Sequence, residues 1–400
     1  MRAPIVSPKA AMRRLALLVL PALAGLLTAC ASLPPAPLQV PTHLFEDSAF
    51  GAPTQPVDAQ QVFAISPSMA RYLEVEIAPQ LRTQGRQRGL VDALHSKAQL
   101  RLDYDTDMTR NAAQAFEARS GNCLSLVVMT AALAKHLELP VRYQALVGQE
   151  TWSRSGNLSF VNGHVNIAID KRLVDRVTGI DPDSQIRIDF GALPAGRGAA
   201  LRQISEATIL AMFMNNRAAE ALVRGDLDSA YAHAREAVLQ DPAYPSAYNT
   251  LGVVFQRRGL QARAEQAYRH ALEQAPQHAP GLLNLARLLE AEARHAEAAP
   301  LRARLARLES EPPFHHFDLG RAAAQAGDHE AARKHLLREM RRDPDYHEFH
   351  FWLAVALYGL GDVAQAREHL STAMKNSTTR REQAIYAGKL QSLAGPTRAQ

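Results

Sequence analysis

Hydrophobic positions first gather in one run, residues 15–29 (LALLVLPALAGLLTA), behind a stretch with basic residues and no acid. The run is too short to span a bilayer and is broken by Pro21 and Gly25, so it reads as the apolar region of a secretion signal. Residues 32–41 (SLPPAPLQVP) are Pro-rich and nearly uncharged, the composition of an extended tether. From about Gln60 the pattern becomes regular. Residues 68–84 and 89–100 are spaced as helices, and 103–121 hold another. Residues 124–140 (LSLVVMTAALAKHLELP) are apolar almost all round, as in a helix buried in a core; Asn122 and Cys123 open it and Pro140 closes it. Strands are predicted at 141–147 (VRYQALV), 164–169 (HVNIAI) and 186–190 (IRIDF), joined by segments rich in Gly, Asn, Ser, Asp and Pro. One central helix on a few antiparallel strands is an α+β domain, set at residues 60–200. The polar segment 148–163 is either a hairpin or a loop.

Beyond residue 205 the chain is almost wholly helical and repeats itself. Pro242, Pro276 and Pro344 are 34 and 68 residues apart, as Gly252 and Gly320 are 68 apart. Around Gly252, the residues Leu251, Phe255, Ala264, Tyr268, Ala271 and Pro276 fall at marker positions, and this pattern resembles the tetratricopeptide repeat. Ala218, Ala230, Ala237 and Pro242 fit one period earlier; Leu319, Gly320, Ala332 and Pro344, then Leu353, Ala354, Ala366 and Ala373, fit later. The unit at 280–313 keeps only Leu285, Ala286 and Ala298. The resemblance implies an all-α solenoid over 205–395, of about five repeats and a capping helix near 382–393, that binds a protein or peptide partner.

Composition changes the picture at one end only. The sequence pI of about 9.3 suggests nucleic acid, but Arg2, Lys9, Arg13 and Arg14 lie in the signal region. Removing these four from 45 Lys and Arg leaves 41 against 40 Asp and Glu, so the remainder has no charge excess to draw it to a phosphate backbone. No glycine-rich phosphate loop follows a strand, and no nucleotide is expected. Leu27-Thr28-Ala29-Cys30 resembles the bacterial lipobox, whose cysteine is acylated and becomes the first residue after cleavage of 1–29. Ala31, where Asp would signal inner-membrane retention, implies the outer membrane, with the chain facing the periplasm. Residues 30–59 would then be the lipidated Cys30 and its tether. Of the two cysteines, this leaves Cys123 a lone thiol in a compartment that favours disulfides.

Residues 119–146 (RSGNCLSLVVMTAALAKHLELPVRYQAL) resemble the signature of the transglutaminase-like, papain-like cysteine superfamily, in which Gly and Cys open a buried helix that leads into a strand. The superfamily places a His at the head of a later strand and an Asp on the next; here His164 and Asp189 match. The resemblance implies acyl transfer through a thioester on Cys123, as peptidase, amidase or transglutaminase, with no cofactor and no metal. The residue types suit that chemistry. A helix N-terminus and a nearby imidazolium both favour thiolate. His can take the thiol proton and return it to a leaving amine, and a carboxylate fixes the His tautomer. Asp181 is the alternative acid, but it precedes Pro182 in a turn-like sequence, whereas Asp189 sits in an apolar β run where an unpaired carboxylate is costly. The second class of function is a non-catalytic scaffold whose repeats bind partners. His315, His316, His347 and His350 do not form a zinc-protease motif and are expected on the repeat surface. Tyr143 and Trp152 are expected to pack in the core.

Overall fold

Among the described residues four short α-helices precede the cysteine: α1 (Pro67–Arg71), α2 (Ala78–Gln84), α3 (Arg86–His95) and α4 (Ala112–Ala118). Two residue pairs, β1 (Asp103–Tyr104) and β2 (Ser120–Gly121), form a parallel bridge ahead of α5 (Cys123–His136). Asn122 caps α5, its Oδ1 accepting the Ser125 N–H at 2.9 Å. Residues 124–134 are all buried, as their unbroken apolar run requires. The computed structural model describes residues 39–96, 100, 102–105, 108–147, 151–155, 158–172, 184–190, 200–308, 314–341, 343–377 and 380–393, and residues 40–400 make one compact unit. Cys30, the apolar run 15–29 and Asp181 lie outside the described residues.

The strands are β3 (Val141–Val147), β4 (Thr151–Ser155), β5 (Leu158–Asn162), β6 (Val165–Asp170), β7 (Gln185–Ile188) and β8 (Ala200–Ile204). β4 and β5 pair as a hairpin, which settles the open alternative for segment 148–163. The other four make an antiparallel sheet in the order β7-β6-β3-β8, with α5 packed on β6 and β3. All six residues of β6 are buried. The sheet runs to Ile204, past the expected end at residue 200, because β8 pairs with β3 and sets Ile204 opposite Tyr143. Asp189 lies one residue beyond β7 rather than within a strand.

Ten helices follow in five pairs: α6 (Glu206–Arg224) with α7 (Leu227–Gln240), α8 (Pro245–Arg258) with α9 (Gln261–Gln274), α10 (Ala279–Ala291) with α11 (His295–Leu308), α12 (His315–Gln325) with α13 (His329–Met340), and α14 (His347–Gly359) with α15 (Val363–Asn376). α16 (Arg380–Ser392) lies against α15. Small residues permit the close crossings: a Cβ on Gly252 would stand 2.5 Å from Tyr268 Cε1, and one on Gly320 2.7 Å from Leu336 Cγ. The turn inside each pair needs a left-handed residue. Gly225, Gly259, Gly327 and Gly361 supply it in four repeats, but the third uses Ala293 at φ 60°. Of the histidines expected on the surface His315 is exposed, but His316, His347 and His350 are each under 9% exposed, because they pair with partners on the facing helices.

Residues 30–59 are expected to be the lipidated cysteine and its tether, and the structure departs from that expectation from Thr42 onward. Two 3₁₀ turns, Thr42–Leu44 and Asp47–Ala49, lie against α7, α8 and α9. Phe50 stacks on Tyr231 with centroids 4.1 Å apart, the Tyr231 hydroxyl accepts the Glu46 N–H and donates to Asp47, and Arg263 pairs with Glu46. The Gly51 and Thr54 N–H groups bond Asp228 Oδ1 and Ser229 Oγ. Isolated aromatics in a polar stretch give no periodic signal, so composition alone reads as tether.

The left-handed turn positions make a paired prediction. Ala293→Gly raises stability by up to about 1 kcal/mol, and Gly259→Ala lowers it by about 1–2 kcal/mol, read from urea unfolding midpoints. Gly252→Ala, which drives a methyl into the buried Tyr268 ring, lowers it by about 1–3 kcal/mol.

Candidate active site

The sheet register brings the separated site residues together. With Ile167 of β6 opposite Ile188 of β7, the residue before β6 and the residue after β7 fall at one edge of the sheet. These are His164 and Asp189, and His164 Nε2 lies 2.7 Å from Asp189 Oδ1. Both side chains are largely enclosed, at 15% and 19% exposure. A neutral or charged ring donates from Nε2 to this carboxylate, which leaves Nδ1 as the nitrogen free to handle a proton. The Val165 N–H, next along from His164, points at the Cys123 sulfur, so the thiol sits at the head of the same strand. His164 thus pairs with Asp189, and the Cys123 sulfur lies at the Val165 N–H beside them.

Tyr104, which no motif in the sequence singles out, completes the group. Its hydroxyl takes the Cys123 backbone N–H and donates to the sulfur. Its pKa is pushed up, first by burial of the hydroxyl and then by Cys123. The parallel bridge orients it: the Asp103 N–H reaches the Arg119 carbonyl and the Asp105 N–H the Gly121 carbonyl, at 2.9 and 3.1 Å. Gly121 must be glycine, since a Cβ there would lie 2.7 Å from Ser125 Cβ.

The thiol departs from the expectation of a ready thiolate. Burial pushes the Cys123 pKa up, and this outweighs the backbone N–H groups of Val165 and Leu124 that pull it down; the Asp189 charge adds to the rise, and Tyr104 opposes it. The helix N-terminus is present, but the dry surroundings win.

A polar relay ties the cysteine helix to the first repeat. Thr109, 2% exposed, accepts at Oγ1 from Asn122 Nδ2 at 3.0 Å and from Asn216 Nδ2 at 3.3 Å, and its backbone N–H donates to Glu220 Oε1 at 2.6 Å. Asn216 and Glu220 are on α6, and Arg217 holds the other Glu220 oxygen at 2.9 Å. Burial raises the Glu220 pKa, against the pull of the Thr109 N–H and Arg217. Tyr143 is buried as expected, with its hydroxyl on Glu206 at the start of α6; the Trp152 side chain is outside the described residues. Among the described residues no three His, Cys, Asp or Glu side chains gather as a metal site.

Thr109→Val tests the relay. It leaves two half-buried amide groups without this acceptor and is expected to cost about 1–3 kcal/mol in urea unfolding. Because Asn122 is one of them, the pH profile of Cys123 alkylation shifts as well; a stability loss with an unmoved profile would confine Thr109 to packing.

The tetratricopeptide repeat profile matches residues 215–279 and 317–379. Between the two matches lies the repeat with Ala293 at its turn and Pro300 inside its second helix, where the markers were faintest. Among solved structures the chain is similar to YrrB, described as a TPR protein with an unusual peptide-binding site, at 20% identity over 45% of this chain and 92% of that one, with a TM-score of 0.25. It is similar to TTC0263, a thermophilic TPR protein in Thermus thermophilus, at 18% identity over 45% and 99%, TM-score 0.30, and to Pseudomonas aeruginosa pilF at 20% identity over 46% and 84%, TM-score 0.28. No curated protein matches. The helical part of this chain is an array of tetratricopeptide repeats.

Proposed function

We propose that this protein is a periplasm-facing lipoprotein of the outer membrane in which a transglutaminase-like cysteine site performs acyl transfer on a protein or peptide held by the repeats. The observation that carries the chemistry is the His164–Asp189 contact at 2.7 Å beside the Cys123 sulfur. Cys123 Sγ attacks the carbonyl carbon of an amide while its proton passes to His164 Nδ1. The carbon–nitrogen bond breaks, the amine departs with that proton, and a thioester remains on Cys123. Water or a second amine, deprotonated by His164, then attacks the thioester, and the thiol regains its proton. Asp189 is a positioning residue: it holds the ring by Nε2 and supports the imidazolium between the two steps. The Cys123 N–H serves the oxyanion, and the Tyr104 hydroxyl that now occupies it gives way to the substrate oxygen. A buried thiol fits a mechanism in which the proton leaves during attack rather than one with a standing ion pair.

The lipid anchor rests on the lipobox-like Leu27-Thr28-Ala29-Cys30 behind its apolar run. Partner binding rests on the repeats, which stack into extended binding surfaces. The same repeats favour a second reading, a scaffold with an idle site.

Alkylation of Cys123 by iodoacetamide decides between them, in protein carrying Cys30→Ser. On the catalytic reading the thiolate titrates above the ordinary thiol value of about 8.5, and His164→Ala slows reaction at pH 7. Asp189→Asn removes a charge that holds the thiol value up and moves its titration downward. Profiles identical in all three proteins, or reaction only on unfolding, would leave the scaffold. With a peptide amide and an amine probe, free acid marks hydrolysis and a probe adduct marks transfer; His164→Ala lowers either by about a hundredfold or more.

A further inference from the structure

In the 34-residue frame, positions 248, 282, 316 and 350 are equivalent, and so are 267, 301, 335 and 369. The second and third repeats fill them with Tyr248 and Ala267, and with Leu282 and Leu301, all buried. The fourth and fifth repeats place histidine at both. His316 meets His335 between α12 and α13, and His350 meets His369 between α14 and α15, Nδ1 to Nδ1, at 3.0 and 2.9 Å. Ring centroids are 5.3 and 5.1 Å apart with planes tilted by 22° and 34°. Rings set end to end at that spacing share one proton in an N–H···N hydrogen bond. In the fifth repeat the tautomers follow. His350 Nε2 lies 2.7 Å from the Pro344 carbonyl and must donate, so in the neutral ring its Nδ1 accepts and His369 donates.

Charging both rings of a pair sets N–H against N–H across this gap and puts two positive rings in contact. Burial lowers the pKa of His335 and of His369, and the partner ring lowers each further. The facing charges differ between the repeats. Lys334, His315 and Arg338 oppose charge on the fourth pair, while Glu339 is engaged by the N–H groups of Phe314, His316 and Phe317. At the fifth pair Glu368 and Asp343 favour it, and the neighbouring His347 faces Tyr386 and Glu382. His335 and His369, with lowered pKa values, hold fewer protons in the fold than free imidazoles do. Their stabilisation is complete above about pH 6.5 and is lost as the pH falls below it.

We propose that the two histidine pairs are a proton-sensitive clasp, which closes the fourth and fifth repeats when neutral and opens their helix pairs on acidification. The clasp makes the C-terminal end of the binding array respond to pH through contacts that the third repeat makes with leucine. His233, buried, and His278, half-buried, in earlier repeats also have lowered pKa values and bring their own acid sensitivity. Substitution of the pairs separates the two effects.

The experiment is hydrogen exchange of the full chain at pH 7.5 and 5.5, corrected for intrinsic exchange, in wild type, in His316→Leu/His335→Leu and in His350→Leu/His369→Leu. Wild type is expected to lose protection in α12–α15 at the lower pH, of the order of tenfold for each pair opened. Each leucine pair, copied from Leu282 and Leu301, removes the loss in its own repeat and leaves it in the other. Equal protection at both pH values in wild type, or a loss that persists in a folded leucine variant, overturns the clasp. Should a variant fail to fold, the imidazole resonances of wild type give the answer. Titration of all four rings at the free value of about 6.5 overturns the proposal, and titration of His335 and His369 below it supports the proposal.

Discussion

The apolar stripe of α6 is divided between two cores. Ile209, Phe213 and Met214 pack into the core built on α5 and the sheet, while Ala218, Ala221 and Leu222 belong to the core of the first repeats. Each of the three large side chains contributes roughly 1.5–3 kcal/mol by its burial, so parting the sheet from the repeats would expose a costly surface. The polar contacts of the helix follow the same division. Glu206 at its start meets Lys135 and Tyr143, and Asn216 and Glu220 further along hold Thr109. The repeats are therefore part of the scaffold of the cysteine site rather than an appendage to it.

That shared helix explains how a dry site can remain ordered. Cys123 is half-buried, and burial of a polar group is tolerated where neighbouring donors and acceptors are satisfied. Here the loop before the cysteine is pinned by Thr109, by the Asp105–Arg110 ion pair at 3.0 Å, and by the Arg110 N–H on Ser125 Oγ. Order at the site comes from outside the cysteine helix as much as from its cap.

Much of this was legible in the sequence because it is written in local spacing. The strand of 141–147, the Asn122 cap and the five helix pairs all follow from period or capping chemistry. The meeting of His164 with Asp189 was legible through its order in the chain. Other features depend on side chains far apart in sequence. Thr109 and Glu220 are 111 residues apart, and no pattern announces their bond. The pairs His316–His335 and His350–His369 carry the repeat period openly, yet histidine reads as a surface residue until its partner is seen. β8 was missed because residues 191–199 (GALPAGRGA) interrupt any strand-like rhythm before it.

The segment 42–54 bears on the order in which the chain assembles. Its partners Tyr231 and Arg263 lie 185 and 217 residues downstream of Glu46. A loop of that length closes slowly, and its partners must be in place first. During synthesis the sheet region and two repeats emerge before this segment has anything to bind. Contacts made so late contribute little to the folding transition state, and their stabilisation falls mainly on the unfolding rate. Phe50 on Tyr231 is thus a latch on an already folded body, slowing its opening rather than hastening its formation.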